Sequence, residues 1–248
     1  MDKTPAKRDG GFAIVANPDS SAALQEAYSE LGIDSFSLNR VSIPAGGGTA
    51  FQLESLEGTE NLSDVDIIVA GIKGNEKVWW RDDFNGNGGP PDCSSHDGVT
   101  GFGNPTKDPD KEPQGNSCSA CPWNKWESSR SGGPGKDCGD IAFLIFFQPD
   151  AFLPDMLVVP PSSLKAVREY SMKLMRAGKN PRRVVTRMSL EQAQSASGIK
   201  YSQLKLGYVK DLEESEVGVM DDVGKLVMAS FAPTALTTPV VDQSQLTN

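Results

Sequence analysis

Two adjacent stretches decide the fold: Cys118-Ser-Ala-Cys121-Pro-Trp-Asn-Lys-Trp-Glu-Ser-Ser-Arg-Ser-Gly-Gly-Pro-Gly-Lys-Asp-Cys138 and the apolar run Ile141-Ala-Phe-Leu-Ile-Phe-Phe147. A further cysteine, Cys93, lies upstream, which gives the spacing C-x24-C-x2-C-x16-C. A Cys-x2-Cys step lets two thiolates bind one ion from a tight turn, and two more thiolates complete a tetrahedron. The pattern therefore predicts a closed structural Zn²⁺ site whose ligands are Cys93, Cys118, Cys121 and Cys138.

The chain around these cysteines has an unusual composition. Residues 84–140 contain 11 of the 25 glycines, 7 of the 17 prolines and all four cysteines. So few apolar side chains cannot form a core by burial alone, whereas metal binding supplies folding free energy of about 10 kcal/mol or more. His96, the lone histidine, is a second-choice ligand. Four free thiols in a glycine-rich loop would be exposed to oxidation, and a catalytic pair of Cys93 with His96 lacks an evident orienting partner, so both explain the cluster less well.

Hydrophobic periodicity outlines the rest of the chain. It predicts helices over 22–31, 164–177 and 212–231. It predicts strands over 12–15, 36–43, 51–56, 65–69, 77–80, 141–147, 156–160, 183–190 and 201–209, with a turn at 73–75 and the last two strands paired.

These elements indicate an α+β protein. We expect an OB-like antiparallel β-core with a long zinc-bound loop insert and two flanking helices. The expected organisation is an N-terminal part of the core at 1–83, a zinc-binding insert at 84–140, the rest of the core at 141–231 and a disordered tail at 232–248.

Charge is distributed unevenly along the 248 residues. The net charge is −9, yet residues 162–210 hold 11 basic and 2 acidic side chains, a net charge of +9. Positive grooves with interleaved aromatic rings are typical of single-stranded DNA-binding surfaces. The candidate nucleic-acid-binding residues are Lys165, Arg168, Lys173, Arg176, Arg182, Arg183, Arg187, Lys200, Tyr201, Lys205 and Tyr208.

The cysteine segment also resembles a known group. The run from Cys118 to Ser128, the Gly135-Lys136-Asp-Cys138 step, Pro91-Asp-Cys93 and Asp97-Gly98 resemble zinc-containing single-stranded-DNA-binding proteins of bacteriophage and prophage replication modules. The similarity covers about 90–140 and is looser downstream. Glu127 stands where the group has glycine. The resemblance implies structural zinc and non-catalytic DNA binding in replication or recombination.

Other functions fit parts of the sequence. Asp64, Asp66, Asp82 and Asp83 suggest a metal-dependent nuclease, but their spacing matches no two-metal motif. A zinc-stabilised protein-interaction module, acting as a DNA mimic or binding a host factor, is the alternative from a third class. The basic segment also has a possible internal partner, the acidic stretch 211–222, which together with the tail is a candidate contact for replication proteins.

Location is predicted from what the sequence lacks. No apolar run approaches the ~18–20 residues of a membrane span, and the first residues lack the apolar core of a signal peptide. We therefore expect no membrane association and a cytoplasmic location, in a bacterial host if the protein is phage-encoded.

Overall fold

A mostly antiparallel sheet of eleven strands dominates the structure, a computed structural model that describes residues 6–8, 10–32, 38–55, 58–83, 89–130, 132–195, 198 and 200–230. Four α-helices accompany the sheet within these ranges, so the expected α+β class is confirmed. The strands are β1 (Ala6–Arg8), β2 (Asn39–Ser42), β3 (Phe51–Ser55), β4 (Gly58–Trp79), β5 (Cys93–Ser95), β6 (Thr100–Gly103), β7 (Gln114–Ser117), β8 (Gly139–Phe147), β9 (Asp155–Val159), β10 (Val184–Gln194) and β11 (Lys200–Asp211). The helices are α1 (Ala13–Ala16), α2 (Ser20–Leu31), α3 (Pro161–Arg176) and α4 (Glu214–Ser230). The predicted tail at 232–248 lies outside the described residues.

Strand β4 organises the sheet. Its 22 residues pair with β3 near the start, with β10 and β8 through the middle, and with β5 at the end. The predicted turn at 73–75 is wrong, because the chain continues in one direction there. The register with β8 shifts between Lys73 and Glu76, and Asn75 has a φ of 65°. A β-bulge absorbs the turn-forming residues without reversing the strand.

Strand pairing follows a closed path. It runs β3-β2-β9-β8-β4 and returns through hydrogen bonds between β4 and β3. Neighbours on this path are antiparallel except β2 and β9, which are parallel. Strands β8 and β9 are almost entirely buried, which explains why each reads as a continuous apolar run.

Two apolar clusters lie on opposite faces of these strands. One contains Phe51, Leu144, Phe146 and Val167, which brings α3 against the sheet. The other contains Ile14, Leu24, Phe143 and Val223 and is covered by α1, α2 and α4. The strand predicted at 12–15 is therefore wrong: Ile14 and Val15 are buried from a short helix, and so brief an apolar run cannot reveal its period.

The three short strands of the cysteine-rich region continue the sheet from β4. Strand β5 pairs with β4, β6 with β5, and β7 with β6, all antiparallel. We call residues 89–130 and 132–140 the cysteine module. Its chain returns directly into the buried strand β8, so the module is joined to the core at both ends.

Candidate metal centre and nucleic-acid surface

Four cysteine side chains surround one small cavity in the cysteine module. The cavity has a volume of about 20 Å³, and Cys93, Cys118, Cys121 and Cys138 all contribute to its lining. A volume near 10–15 Å³ is enough for one water molecule, so this space suits a single small ion. Cysteines separated by up to 45 positions in sequence thus line one cavity.

Backbone hydrogen bonds position each cysteine. Cys93 lies in β5, opposite Trp79 on one side and Gly103 on the other. The Cys118 N–H donates to the Val99 carbonyl at 2.9 Å. Cys121 precedes a 3-10 turn over Pro122–Asn124, and the Cys138 N–H donates to the Trp123 carbonyl at 2.9 Å.

Two glycines keep the module tight. A Cβ at Gly101 would lie 3.3 Å from the Cys93 Sγ and 3.5 Å from the Cys118 Sγ, so a side chain there would crowd the thiols. Gly103 has a φ of 141°, and its Cβ would lie 2.1 Å from the Asp92 carbonyl oxygen. Gly103 accommodates no other residue unless β5 moves, whereas a side chain at Gly101 would require its neighbours to shift by a few tenths of an ångström.

Burial controls the protonation of the thiols. Both Cys93 and Cys138 have a pKa raised to about 12, with burial as the largest cause and repulsion from the neighbouring cysteines as a smaller one. Lys77, which also lines the cavity, acts in the opposite direction on Cys138. A metal ion that binds here must therefore displace thiol protons.

The donor chemistry suits zinc, although the thiols are not in a finished metal geometry. Four sulfur ligands are the typical set of a structural tetrahedral Zn²⁺ site. Among the described residues, no group of three or more His, Cys, Asp or Glu side chains is arranged to hold a metal ion. The residues present fit the ion in number and type, and closing the site requires the thiols to draw together.

A polar network connects the thiols to the core. The Asn124 Oδ1 accepts from the Lys77 Nζ at 3.1 Å and from the Lys136 Nζ at 3.3 Å, while its Nδ2 donates to the Cys118 carbonyl at 2.8 Å. Both lysines also pair with Asp140. Positive charges beside a thiolate cluster offset its negative charge. Sequence reasoning missed Lys77, because it lies on β4 and nothing local connects it with the cysteines.

Two tryptophans and one arginine hold the last cysteine loop against β4. The Trp79 and Trp123 rings stack with centroids 5.4 Å apart, and the Trp79 Nε1 donates to the Asp137 Oδ2 at 2.7 Å. Arg130 pairs with the same carboxylate at 2.8 Å and donates to the carbonyls of Trp80 and Arg81. The arginine and the indole donor together hold the pKa of Asp137 below its usual value, against the effect of burial.

His96 has a different partner. Its Nδ1 lies 2.7 Å from the Glu76 Oε2, and this glutamate is only 2% exposed. Glu76 also pairs with Lys73 at 3.0 Å. The imidazole is not among the groups that line the cysteine cavity, so the structure does not bring it to the candidate metal centre.

About half of the basic segment is engaged inside the molecule. Arg187 forms a two-bond pair with Asp66 at 2.7 and 2.8 Å, and Arg182 donates to the Ala70 carbonyl at 2.7 Å. Three more pairs are Arg183 with Asp221, Lys179 with Asp211 and Lys205 with Glu191. The predicted internal partner, the acidic stretch 211–222, thus does pair with part of this segment.

The remaining cations are exposed. Arg168, Lys173 and Arg176 lie on the outer surface of α3, and among the described residues none of them forms an ion pair. Lys165 has only a 3.8 Å contact with Glu169. Lys200 is exposed at the start of β11. These side chains are free to contact phosphates.

A groove borders the cations of α3. It has a volume of about 550 Å³ and runs between α3 and the bulge of β4. Arg168 lies on one wall and Lys77 on another, while Ile72, Leu164 and Val167 provide apolar surface. Asp97 and Asp140 also line it, and both carboxylates already have donors within the module.

The tyrosines differ in their surroundings. Tyr170 is buried, and its hydroxyl lies 2.6 Å from the Thr186 Oγ1. Tyr201 is half-buried. Tyr208 is 46% exposed, with the Lys179 Nζ 4.9 Å from its ring and its hydroxyl donating to Asp211 at 3.0 Å. Of the two tyrosines predicted to contact DNA, Tyr208 is therefore the more accessible.

The four aspartates of the nuclease alternative are divided between two places. Asp64 and Asp66 lie in the first half of β4, where Asp66 pairs with Arg187. Asp82 and Asp83 follow its end, and Asp83 lies 3.4 Å from Arg130. Most of an extended strand that rises about 3.3 Å per residue separates the two pairs along the chain, whereas cooperating metal ions lie only about 4 Å apart.

Comparison with known proteins adds no relative. No protein family, no curated protein and no solved structure matches this chain. Among the described residues, no helix is both long enough and apolar enough to cross a membrane. The functional conclusion therefore depends on the residues described above.

Proposed function

We propose that this protein is a non-catalytic single-stranded-DNA-binding protein whose cysteine module is held by one structural zinc ion. The observation that carries the proposal is the outer surface of α3. Arg168, Lys173 and Arg176 are exposed there without an ion-pair partner among the described residues, while the opposite face of the helix is buried. A rigid helix that presents free cations beside a groove is suited to contact a phosphate backbone.

Zinc has a structural role in this proposal. Bound by Cys93, Cys118, Cys121 and Cys138, the ion would supply the folding free energy that the module's few apolar side chains do not. Lys77, Lys136 and Asn124 stabilise the ligand loops through their contacts with Asp140 and the Cys118 carbonyl. No group at the centre is assigned a catalytic task.

The OB-like description of the core belongs to the same proposal. It is supported by five strands whose pairing returns to its starting point and by a long insertion between β4 and β8. OB-folds are five-stranded Greek-key cores that bind oligonucleotides. The parallel pairing of β2 with β9 is a feature specific to this chain.

A biological setting follows from the resemblance of the cysteine segment. We assign the protein to DNA replication or recombination of a phage or mobile element, in the cytoplasm of a bacterial host. Glu213, Glu214 and Ser215 are exposed at the start of the acidic stretch. They are the contact we expect for replication proteins.

The surface of α3 can be tested by charge reversal. We expect Arg168→Glu, Lys173→Glu and Arg176→Glu combined to weaken binding of a labelled oligo(dT), measured by fluorescence anisotropy. The plot of log K against log of the salt concentration should become less steep by about 2, because each lost contact with a single-stranded phosphate reduces the magnitude of the slope by about 0.7. Lys225→Glu on α4 is the control of the same charge type, since Lys225 is exposed at a different helix.

Substitutions on α3 change the surface charge without removing a contact that stabilises the fold. Arg182 and Arg187 are braced against β4, so replacing them would weaken the fold as well as any DNA contact. Equal loss of binding in the α3 variant and in Lys225→Glu would contradict a specific role for α3. No binding by the wild type at low salt would contradict DNA binding itself.

Protein docking is the second candidate function. It is favoured by the internal pairing of Lys179, Arg183, Arg187 and Lys205, which leaves the surface less basic than the sequence suggests. A chain that holds zinc yet fails to bind any oligonucleotide at low salt would support this alternative.

A further inference from the structure

We infer that Trp126, in the cysteine module, is the platform on which a nucleobase of bound single-stranded DNA stacks. This inference depends on the proposed function and adds a second contact site, distinct from α3. Trp126 is 72% exposed, the largest exposed fraction among the aromatic side chains of the described residues. An exposed indole offers a large, rigid apolar face to a binding partner.

The loop that carries Trp126 is fixed in shape. The Ser128 hydroxyl lies 2.8 Å from the Trp123 carbonyl and 2.7 Å from the Lys125 carbonyl, which share its one proton, and its oxygen accepts from the Asp137 N–H at 3.0 Å. These bonds surround Trp126 on both sides in sequence and connect its loop to the residue that precedes Cys138. A ring held in place before binding loses little entropy when a base stacks on it.

A cation accompanies the ring. The Lys136 Nζ lies 5.4 Å from the centroid of Trp126, close enough for a cation–π interaction. The same ammonium pairs with the Asp140 Oδ2 at 3.1 Å, so its position is set by the module. The exposed indole provides a stacking surface for a base, while the charge of Lys136 is already shared with Asp140.

The ring is also connected to the groove beside α3. Asp140, the partner of Lys136, lines that groove together with Lys77 and Arg168. Lys136 contacts both Asp140 and the Trp126 ring, and we therefore place one strand of DNA along the groove and over the ring. Phosphates would then meet α3 while a base meets the cysteine module.

The ligand class is a base of any identity within single-stranded DNA. Every base has a π-face, and among the described residues no hydrogen bond to the Trp126 indole nitrogen competes with stacking. Stacking on an aromatic ring tolerates sequence, so the site should not discriminate strongly among bases. Duplex DNA, whose bases are already stacked, should not use it.

The test compares two labelled strands of equal charge, an oligo(dT) of about 15 nucleotides and the same strand built from abasic sites. We expect Trp126→Ala to weaken binding of oligo(dT) by about 5- to 150-fold and to leave binding of the abasic strand nearly unchanged. Trp126→Phe should recover part of the loss. Val99→Ala is the matched control, since Val99 is also exposed in the module but has no ring.

The outcomes separate this inference from the proposed function. If the wild type binds oligo(dT) and Trp126→Ala binds it equally well, the platform is contradicted while DNA binding stands. If Trp126→Ala weakens both strands equally, the effect is not stacking, and the inference is again overturned. If the wild type binds neither strand, the proposed function fails together with this inference.

Discussion

At the scale of single residues, the clearest lesson concerns Arg187. Its position in a basic segment suggested contact with DNA, yet it lies directly opposite Asp66 in the pairing of β10 with β4. Asp66 is 7% exposed, and the guanidinium holds both of its oxygens. A buried carboxylate needs such a partner, so this arginine has a structural function before any other.

Removing this arginine should destabilise the fold. We expect Arg187→Ala to lower the free energy of unfolding by about 1–3 kcal/mol, because Asp66 would remain buried without its charged partner. Urea unfolding monitored by circular dichroism measures the change. Lys205→Ala is the control, since the Lys205–Glu191 pair is exposed and should contribute less than about 1 kcal/mol. Equal effects of the two substitutions would contradict the structural role of Arg187.

Glu127 departs from the sequence pattern at a position where the backbone has an unusual conformation. The phage segment that the sequence resembles has glycine at this position, and the structure gives Glu127 a φ of 69°. This left-handed conformation favours glycine, which has no Cβ. Glu127 therefore adopts a backbone conformation that its residue type alone does not reveal.

At the scale of elements, helices α2 and α4 pack through a side chain with an unusual hydroxyl. Tyr28 of α2 is buried in the same apolar cluster as Val223 of α4. Among the described residues, its hydroxyl has no hydrogen-bond partner. Burial raises the pKa of this tyrosine to about 12.

This tyrosine should make stability depend on alkaline pH. Between about pH 10 and pH 12 the unfolded chain ionises Tyr28 and the folded chain does not, so the free energy of unfolding should fall as pH rises. We expect Tyr28→Phe to be as stable as the wild type at pH 7, or more stable by about 1 kcal/mol. Urea unfolding at pH 7, 9 and 11 measures both effects, with Tyr201→Phe as the control at a half-buried position.

The stability difference between wild type and Tyr28→Phe should grow in favour of the variant above pH 10. A difference that stays constant with pH would mean that Tyr28 ionises equally in both states, which would contradict its burial.

Elements with a strong period were predictable from sequence. The helix expected at 164–177 is observed as Pro161–Arg176, and the strands expected at 183–190 and 201–209 are the antiparallel pair β10 and β11. Gly32 and Gly178, which directly follow two of the predicted helices, both have positive φ. These features depend on residues that are close in sequence, so a short stretch of sequence is enough to predict them.

Features that depend on distant partners were not predictable. Whether residues 73–75 form a turn or a bulge depends on β8, which lies some 70 positions away and keeps the chain extended. The convergence of four cysteines followed from metal-ligand spacing, but the network of Lys77, Asn124 and Asp140 did not. The sequence likewise does not reveal which cations stay unpaired, because Asp66, Asp211 and Asp221 reach their basic partners only in the folded chain.

At the scale of the whole molecule, the cysteine module couples the two candidate DNA contacts. Trp126 and Lys136 lie within the loop closed by Cys121 and Cys138, and Lys136 reaches Asp140 at the edge of the groove beside α3. The same loop packs on the core through the stacked rings of Trp79 and Trp123. The account therefore requires that zinc binding order the module as one unit.

The most direct test of this requirement is native mass spectrometry of the intact chain, followed by near-ultraviolet circular dichroism before and after chelation. We predict one zinc ion per chain and loss of the Trp79–Trp123 signal when the ion is removed, because metal binding supplies the module's folding free energy. Cys118→Ser should lower zinc occupancy, whereas His96→Gln should retain the ion, since His96 is bonded to Glu76. A chain that carries no zinc, or an unchanged tryptophan signal after chelation, would contradict the account.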